Sequence, residues 1–402
     1  MTTRLIEADI PPAVLEVVQA LQQAGHRAFL VGGCVRDLLR SEKPKDFDVA
    51  TSARPQAVGQ VFRRVIPTGV EHGTVTVVHR GVHVEVTTFR AEAEYVDGRR
   101  PSRVDFHEDI DADLARRDFT MNAMAWDPVS HLLVDPFGGQ KDLEARVVRC
   151  VGDALERFSE DGLRPLRAVR LATVLDFSID PKTEAAIPRT LPIFRKVAAE
   201  RVHQEFVKLL VAPHAAKGLE LLRRTGLMAE FIPEALEADF AAVGRAPGEA
   251  SVRLAVLLAH RADVRDVALR LRFPTRVVEE AAHLVRHQAL PEAGTDDASL
   301  RRWLSRVDPR FAPALLDAAR ARGLEPVGLR AQVERVLASR PPLTTKALAL
   351  DGRAIMQALG VGPSAVVGQA SRYLLDRVLD DPAQNTPEAL TAALRAWQPP
   401  PA

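Results

Sequence analysis

Two aspartates stand two residues apart in Lys45-Asp46-Phe47-Asp48-Val49-Ala50-Thr51. On an extended strand they share a face, while Phe47 turns toward a core. Like charges side by side on a strand repel. A divalent cation relieves that repulsion, and hard carboxylate oxygens are what magnesium takes. A plain acidic strand edge would carry the same pattern. Glu85 falls in Val82-His-Val-Glu-Val-Thr-Thr-Phe89, where Val82, Val84 and Val86 take one face and His83, Glu85 and Thr87 the other. It is either a solvated strand residue or a third carboxylate of a two-metal site, in which paired ions clamp the attacking and leaving oxygens. Spacing alone does not bring it near Asp46 and Asp48.

Three further clusters are suited to binding a phosphorylated base. In Val31-Gly32-Gly33-Cys34-Val35-Arg36-Asp37 a strand runs into two glycines and a helix start. Bare backbone N–H groups and the helix dipole favour an anion there, and Arg36 could add a fork to a triphosphate. A tight strand-to-helix turn needs the same glycines. In Leu114-Ala-Arg-Arg-Asp-Phe-Thr-Met-Asn-Ala123, two arginines, Asp118, Thr120 and Asn122 fall within seven residues. They could meet a triphosphate and a ribose together, or form a charged helix end capped by Asp118. In Ser159-Glu160-Asp161-Gly-Leu-Arg164-Pro-Leu-Arg167-Ala-Val-Arg170, Asp161 and three arginines recur at i+3. A carboxylate accepts from an exocyclic amino group and a guanidinium donates to ring acceptors. A solvent-facing ladder of ion pairs would also read this way. Pro165 requires the helix to start near Asp161, with the proline in its first turn. Cys34 is a small residue expected to be inert.

These residues need a scaffold. Pro11-Pro12 opens a helix through about Ala24, closed by Gly25. Ala28–Val31 and Phe47–Ala50 read as strands, and 54–65 as helical. Thr74–His79 and 82–89 alternate around Arg80-Gly81 as an antiparallel hairpin. From about Asp153 the strand signal ends, and helix follows helix. Breaks fall at Pro213, Pro233, Pro274, Pro291, Pro341-Pro342 and 360–363. The expected class is α+β: an antiparallel-rich head over 1–150, a helical neck over 151–212 and a helical body and tail over 213–402. The tail end, 398–402, should fray.

The 54 lysines and arginines nearly cancel 53 acidic residues, a net charge of +1. That argues against a tail-driven polycation binder without excluding a basic face. Of these cations 46 are arginine, the bidentate partner of phosphates and base edges, although a GC-rich genome produces the same bias. Residues 251–340 hold 16 arginines against 11 acids. Two cysteines, Cys34 and Cys150, support neither a disulfide framework nor a four-cysteine zinc site. No apolar run nears the ~18 residues of a membrane span. Met1–Ile10 has no apolar signal core, so a cytoplasmic protein is expected.

Taken in order, Gly32-Gly33-x-x-Arg36-Asp37, Asp46-x-Asp48, Glu85-Val-Thr-Thr-Phe-Arg90, Arg116-Arg117-Asp118-Phe119-Thr120-x-Asn122-Ala123, Asp135-Pro-x-Gly-Gly139 and Glu160-Asp161-x-x-Arg164 form a specific succession. It resembles the class II branch of the polymerase-β nucleotidyltransferase superfamily, which holds the tRNA CCA-adding enzymes and bacterial poly(A) polymerases. Ala199-Glu200-Arg201-Val-His-Gln-Glu205 is similar to the family's next helical motif, and 350–390 to its tail.

The resemblance implies a polymerase-β-like head followed by helical neck, body and tail. It implies that Asp46 and Asp48 hold two Mg²⁺ ions, with Glu85 completing the acidic site as in some members. Gly32, Gly33 and Arg36 would meet the triphosphate, and Arg117, with Asp118 and Asn122, phosphate and ribose. Asp161 and Arg164 would read the base as an amino-acid template, helped by Arg167 and Arg170. The substrates implied are tRNA, CTP and ATP; no membrane is involved and no protein partner can be inferred. Pro67-Thr-Gly-Val-Glu-His-Gly-Thr74 resembles the CCA-type strand entry, and the arginine-rich stretch of poly(A) polymerases is missing there. Weak basicity also speaks against a processive poly(A) polymerase. Tyr95–Pro101 occupies the place of a loop that CC-adding relatives lack. A-only addition and poly(A) synthesis are the alternatives, and a non-catalytic RNA-binding relative would have lost a metal aspartate. A second, His-Asp-type phosphohydrolase site is not expected. His260 is followed by Arg261, and His283 and His287 have no His-Asp dipeptide between them.

Overall fold

The computed structural model describes residues 9–91, 105–106 and 109–398. The chain forms two compact units, Met1–Leu236 and Glu237–Ala402.

The first unit is built on a seven-stranded mixed sheet. Its strands are β1 (Ala28–Val31), β2 (Asp48–Thr51), β3 (Val65–Gly69), β4 (Thr74–His79), β5 (Val82–Thr88), β6 (Ala125–Asp127) and β7 (Leu132–Val134). Their spatial order is β3-β4-β5-β2-β1-β6-β7. Every pairing is antiparallel except β2 with β5, which run parallel. Arg80 and Gly81 both take positive φ, 47° and 80°, as a two-residue hairpin turn between twisted strands requires.

Alternation along the strands sorts the two faces. Leu30, Val49, Val75, Val77, Val84 and Val86 enter one core. It is closed by helices α1 (Pro12–Gln23), α2 (Gly33–Leu39) and α3 (Pro55–Val61). The opposite face carries Phe29, Val31 and Ala50, packed with Phe89 and with Ile110 and Leu114 of α4 (Ile110–Ala115). Asp48 and Glu85 belong to this second face.

Further along lie α5 (Gly139–Glu144), α6 (Ala154–Glu160), α7 (Arg164–Leu175), α8 (Pro181–Phe194) and α9 (Ala199–Leu210). Three sequence expectations shift here. The second strand begins at Asp48, so Asp46 precedes it, although Phe47 is buried between the two as expected. The helix expected over 54–65 stops at Val61, because Val65 and Ile66 are drawn into pairing with Val77 and Thr76. The strand signal does not end at Asp153: Ser178–Ile179 pairs in parallel with Val147–Val148.

In the second unit, helices Ala250–Leu257, Thr275–Arg286 and Ala312–Ala321 pack together. Helices Gly352–Leu359, Ala365–Asp380 and Pro387–Ala396 close a separate small core around Ile355, Leu374 and Leu390. His283 donates from Nε2 to the Val307 carbonyl at 2.6 Å. Its ring lies 4.4 Å from those of both His287 and Phe311, so this pair is held by packing and a main-chain bond. Among the described residues, no helix is long and apolar enough to cross a membrane.

Asp135 accepts from the N–H groups of Gly139 and Gln140 at 2.6 and 2.9 Å, pinning the start of α5 against the turn at Thr120. A Cβ on Gly139 would lie 2.3 Å from the Thr120 carbonyl oxygen, a backbone atom that cannot yield cheaply. Gly139→Ala is expected to cost about 1–3 kcal/mol through this overpacking. Thermal unfolding would register it as a clear fall in Tm, and an unchanged Tm would show that the turn relaxes.

Candidate active site

Parallel pairing of β2 with β5 sets Asp48 directly opposite Glu85. Partners on one rung point to the same side, so the two carboxylates are neighbours on the face not covered by α1 and α2. Burial, then the charge of Glu85, with a smaller contribution from Asp46, push the Asp48 carboxyl up to about 6; Arg117 opposes them. Asp46 and Asp48 both keep exposed surface, so the desolvation of Asp48 comes from the protein packed around its carboxyl and not from full enclosure.

Facing these acids is a wall of arginines. Gly32 takes φ 76°, ψ −131°, a region closed to side chains. A Cβ there would sit 2.7 Å from Nη1 of Arg117, so the glycine is what lets that guanidinium lie on the strand end. Arg117 donates to Asp113 at 3.1 Å, and Arg116 grips the same carboxylate at 2.6 and 2.9 Å. Asp113 is fully buried. Burial opposes its charge, yet the two guanidinium groups hold its carboxyl below the usual range. Among the described residues, Nε of Arg117 is buried without a hydrogen-bond partner.

Arg36 donates to Asp37 and, at 2.8 Å, to Oδ1 of Asn122. Asn122 donates to Asp118 at 3.3 Å. Asp118 accepts from Nε and Nη2 of Arg167 at 2.9 and 2.7 Å. Burial works against the Asp118 carboxylate, but the charge and hydrogen bonds of Arg167, with Arg164 and Asn122, bring it down to about 2. Glu205 on α9 accepts from Arg170 at 2.8 Å and from Arg167 at 3.4 Å. Among the described residues a continuous polar chain thus links the glycine turn to helices α7 and α9.

Asp161 and Arg164 meet at the break between α6 and α7. The helix starts at Arg164, not near Asp161, with Pro165 at its second position, where a missing N–H costs nothing. Asp161 is extended at φ −136°, ψ 107° and stands outside both helices, so the i+3 row begins at Arg164. Arg164 is buried and donates to Glu160 at 2.5 Å and to the carbonyls of Arg157 and Arg116 at 2.9 and 3.0 Å.

An open cleft of about 310 Å³ is lined by Asp48, Glu85, Arg117, Asp118, Asp161, Arg164 and Arg167, together with Arg90, Arg116 and Arg201. Seven residues expected from the sequence therefore share one cavity. Gly32, Gly33, Arg36, Asn122, Asp46 and Arg170 do not line it. Gly32 underlies Arg117, Gly33 lies 3.6 Å from Arg36 through its would-be Cβ, and Arg170 stands behind on Glu205. Asp113 lay outside the motifs read from the sequence, and Arg116, Glu160, Arg201 and Glu205 stood inside them without a separate site assignment. Their signal was available for the last two, one helical turn apart in a motif of α9. The stretch Tyr95–Pro101 lies outside the described residues, as do 399–402.

Residues 28–149 match the family model "Poly A polymerase head domain", and 176–239 match "Probable RNA and SrmB- binding site of polymerase A". A CCA-adding enzyme of Geobacillus stearothermophilus is 38% identical over 94% of this chain and 95% of its own length. One from Lactobacillus helveticus is 34% identical over 96% and 98%. The chain belongs to the CCA-adding enzyme family. A crystal structure of the Bacillus stearothermophilus CCA-adding enzyme in complex with CTP has a TM-score of 0.83 at 33% identity, covering 96% of this chain and 98% of that one. The Thermotoga maritima CCA-adding enzyme complexed with tRNA shares the fold, at TM-score 0.67 and 19% identity.

Membership in this nucleotidyltransferase family implies dependence on a divalent metal. The donor set suits one. Asp48 and Glu85 are hard oxygen donors whose mutual repulsion a cation relieves. Among the described residues, no group of three or more His, Cys, Asp and Glu is gathered as ligands. Magnesium-like ions characteristically take one or two carboxylates and complete their shell with water and phosphate oxygens.

Replacing Arg167 by methionine leaves Asp118 largely buried without its main counter-ion; because Arg167 is itself about a third exposed, water offsets part of the loss and the expected cost is about 1–3 kcal/mol. In the wild type, Asp118 lies below its ordinary value, so its stabilisation is present above about pH 4 and lost as pH falls through about 2. In Arg167→Met the largest opposing charge is gone; burial, only partly countered by Arg164 and Asn122, then raises Asp118, and acidification relieves the penalty. The Tm gap between the two proteins should narrow from about pH 7 to about pH 5. A gap constant across that range would show that Arg167 acts by packing alone.

Proposed function

We infer that this chain adds CCA to the 3′ end of tRNA, one nucleotide at a time, from CTP and ATP and without a nucleic-acid template. The observation that carries this reading is the single cleft in which the paired carboxylates of β2 and β5 face Arg117 and the base-reading pair. The relatives that match across nearly the whole chain are CCA-adding enzymes. Both metal aspartates are present, which speaks against a non-catalytic relative.

The RNA 3′-hydroxyl attacks the α-phosphate in line, and pyrophosphate leaves. Asp46 and Asp48 are the ligands we assign to two Mg²⁺ ions, with Glu85 completing the acidic site. A metal held there would supply nucleophile activation and neutralise developing phosphate charge. Arg117, resting on Gly32, neutralises the triphosphate, with Gly33 and Arg36 beside it. Asp118 and Asn122 set the position of the arginines and of the ribose site. Asp161 accepts from the exocyclic amino group that cytosine and adenine share, and Arg164, held by Glu160, donates to the neighbouring ring nitrogen. Arg167 and Arg170 complete the nucleotide side. We assign 1–150 as head, 151–212 as neck and 213–402 as the body and tail that grip tRNA by backbone and shape, in a cytoplasmic enzyme.

The test is incubation with three tRNAs, lacking all three terminal nucleotides, ending in CC, or complete, with CTP and ATP singly and together. Completion of the first substrate, stopping after A, is the expected result. Growth of the second alone would mean A-addition, and long A tails would mean poly(A) synthesis. Asp46→Ala should abolish all transfer, while Asp161→Ala should chiefly corrupt base choice; equal fidelity in the latter would remove the amino-acid-template role.

A further inference from the structure

Asp161 is not held by a helix. It occupies the extended break after Glu160, and two donors fix its carboxylate. The N–H of Leu163 donates to Oδ1 at 3.0 Å, and Nη2 of Arg201 donates to Oδ2 at 2.7 Å. Arg201 reaches across from α9 and lines the same cleft. Its side chain is 33% exposed, so this is no core ion pair. Arg164 is itself braced by Glu160 and by the carbonyls of Arg157 and Arg116. Glu205, one turn beyond Arg201 on α9, holds Arg170 and Arg167 in the same manner. The α9 helix therefore grips both the carboxylate and the arginines of the base-reading segment.

We propose that Arg201 is a positioning residue for base selection, fixing the Asp161 carboxylate so that it faces the incoming base as a rigid acceptor. This deepens the functional reading above and rests on it. An ionised carboxylate has about four lone-pair sites, and the two donors leave capacity for an exocyclic amino group. Cytosine and adenine offer that donor, whereas uracil presents its O4 acceptor at the equivalent position and is repelled by a carboxylate that cannot turn away. Freed from Arg201, the carboxylate keeps only the Leu163 tether. It can then rotate or admit a bridging water, and discrimination against uracil weakens.

The experiment measures kcat/KM for CTP and for UTP on tRNA lacking its three terminal nucleotides, together with Tm. The proteins are the wild type, Arg201→Met, Arg201→Lys, Asp161→Ala and the Arg201→Met/Asp161→Ala double variant. A hydrogen bond to a charged group is involved, so the CTP-to-UTP ratio should fall about tenfold or more in Arg201→Met. Lysine should restore part of it. The double variant should discriminate no worse than Asp161→Ala, because both substitutions act through one carboxylate. Tm should move little, as for other partly exposed pairs. Equal loss for both nucleotides would overturn the proposal in favour of a phosphate contact. A lowered Tm with an unchanged ratio would overturn it in favour of simple bracing. If Asp161→Ala lowers the ratio and Arg201→Met does not, only the role of Arg201 fails; if Asp161→Ala leaves the ratio intact, the underlying base-reading assignment fails.

Discussion

The part-buried ion pair between Asp118 and Arg167 joins the two halves of the site. Asp118 follows α4 and belongs to the nucleotidyltransferase head, whereas Arg167 lies on α7. Two short hydrogen bonds join them in a setting where either charge alone would be costly. Hydrogen bonds extend from this pair to both sides of the cleft. Asn122 and Arg36 hang from its head side, and Glu205 and Arg170 from its helical side. A pair of this kind contributes less to net stability than to register, since a hydrophobic pair could fill the space but could not orient four other charged groups.

The cleft separates charges in a way that the total composition conceals. The near-zero net charge of the chain is an average over a carboxylate pair on the β2–β5 rung and an arginine wall across from it. The acids are left partly uncompensated, which suits a cation. Most of the arginines are already held by carboxylates, which keeps them ordered before any substrate arrives. Pre-ordering lowers the entropy cost of binding a flexible triphosphate. It also fits an enzyme that grips a folded RNA briefly and adds few nucleotides, better than one that must hold any RNA through many cycles.

Much of the fold was legible because its signals are local. The hairpin of β4 and β5 follows from alternation and from Arg80-Gly81. The helix α1 follows from its proline start, and the first-turn place of Pro165 in α7 was legible although that helix begins at Arg164 and not near Asp161. The misplacements were local as well. Val61 and Val65 satisfy either a helix or a strand, and only pairing with β4 decided between them. The site was legible as a roster of residues, since Asp48, Glu85, Arg117, Asp118, Asp161, Arg164 and Arg167 all came together. The contacts of Asp113, Glu160, Arg201 and Glu205 were hidden, although the last three stood in quoted motifs, because acids and arginines on helices ordinarily belong to solvated faces and their role depends on what packs against them.

By itself, the sequence determined the order of motifs, the alternation that buries one sheet face, and which side chains could carry metal, phosphate and base contacts. These depend on periodicity and residue type, which act over a few residues. Tertiary structure alone decided which charges meet. Parallel pairing of strands far apart in the chain set Glu85 beside Asp48. Packing of α9 against α7 brought Arg201 to Asp161 and Glu205 to Arg170. Burial then turned ordinary charged residues into fixed, oriented ones, because a charge removed from water must find its partner inside the protein.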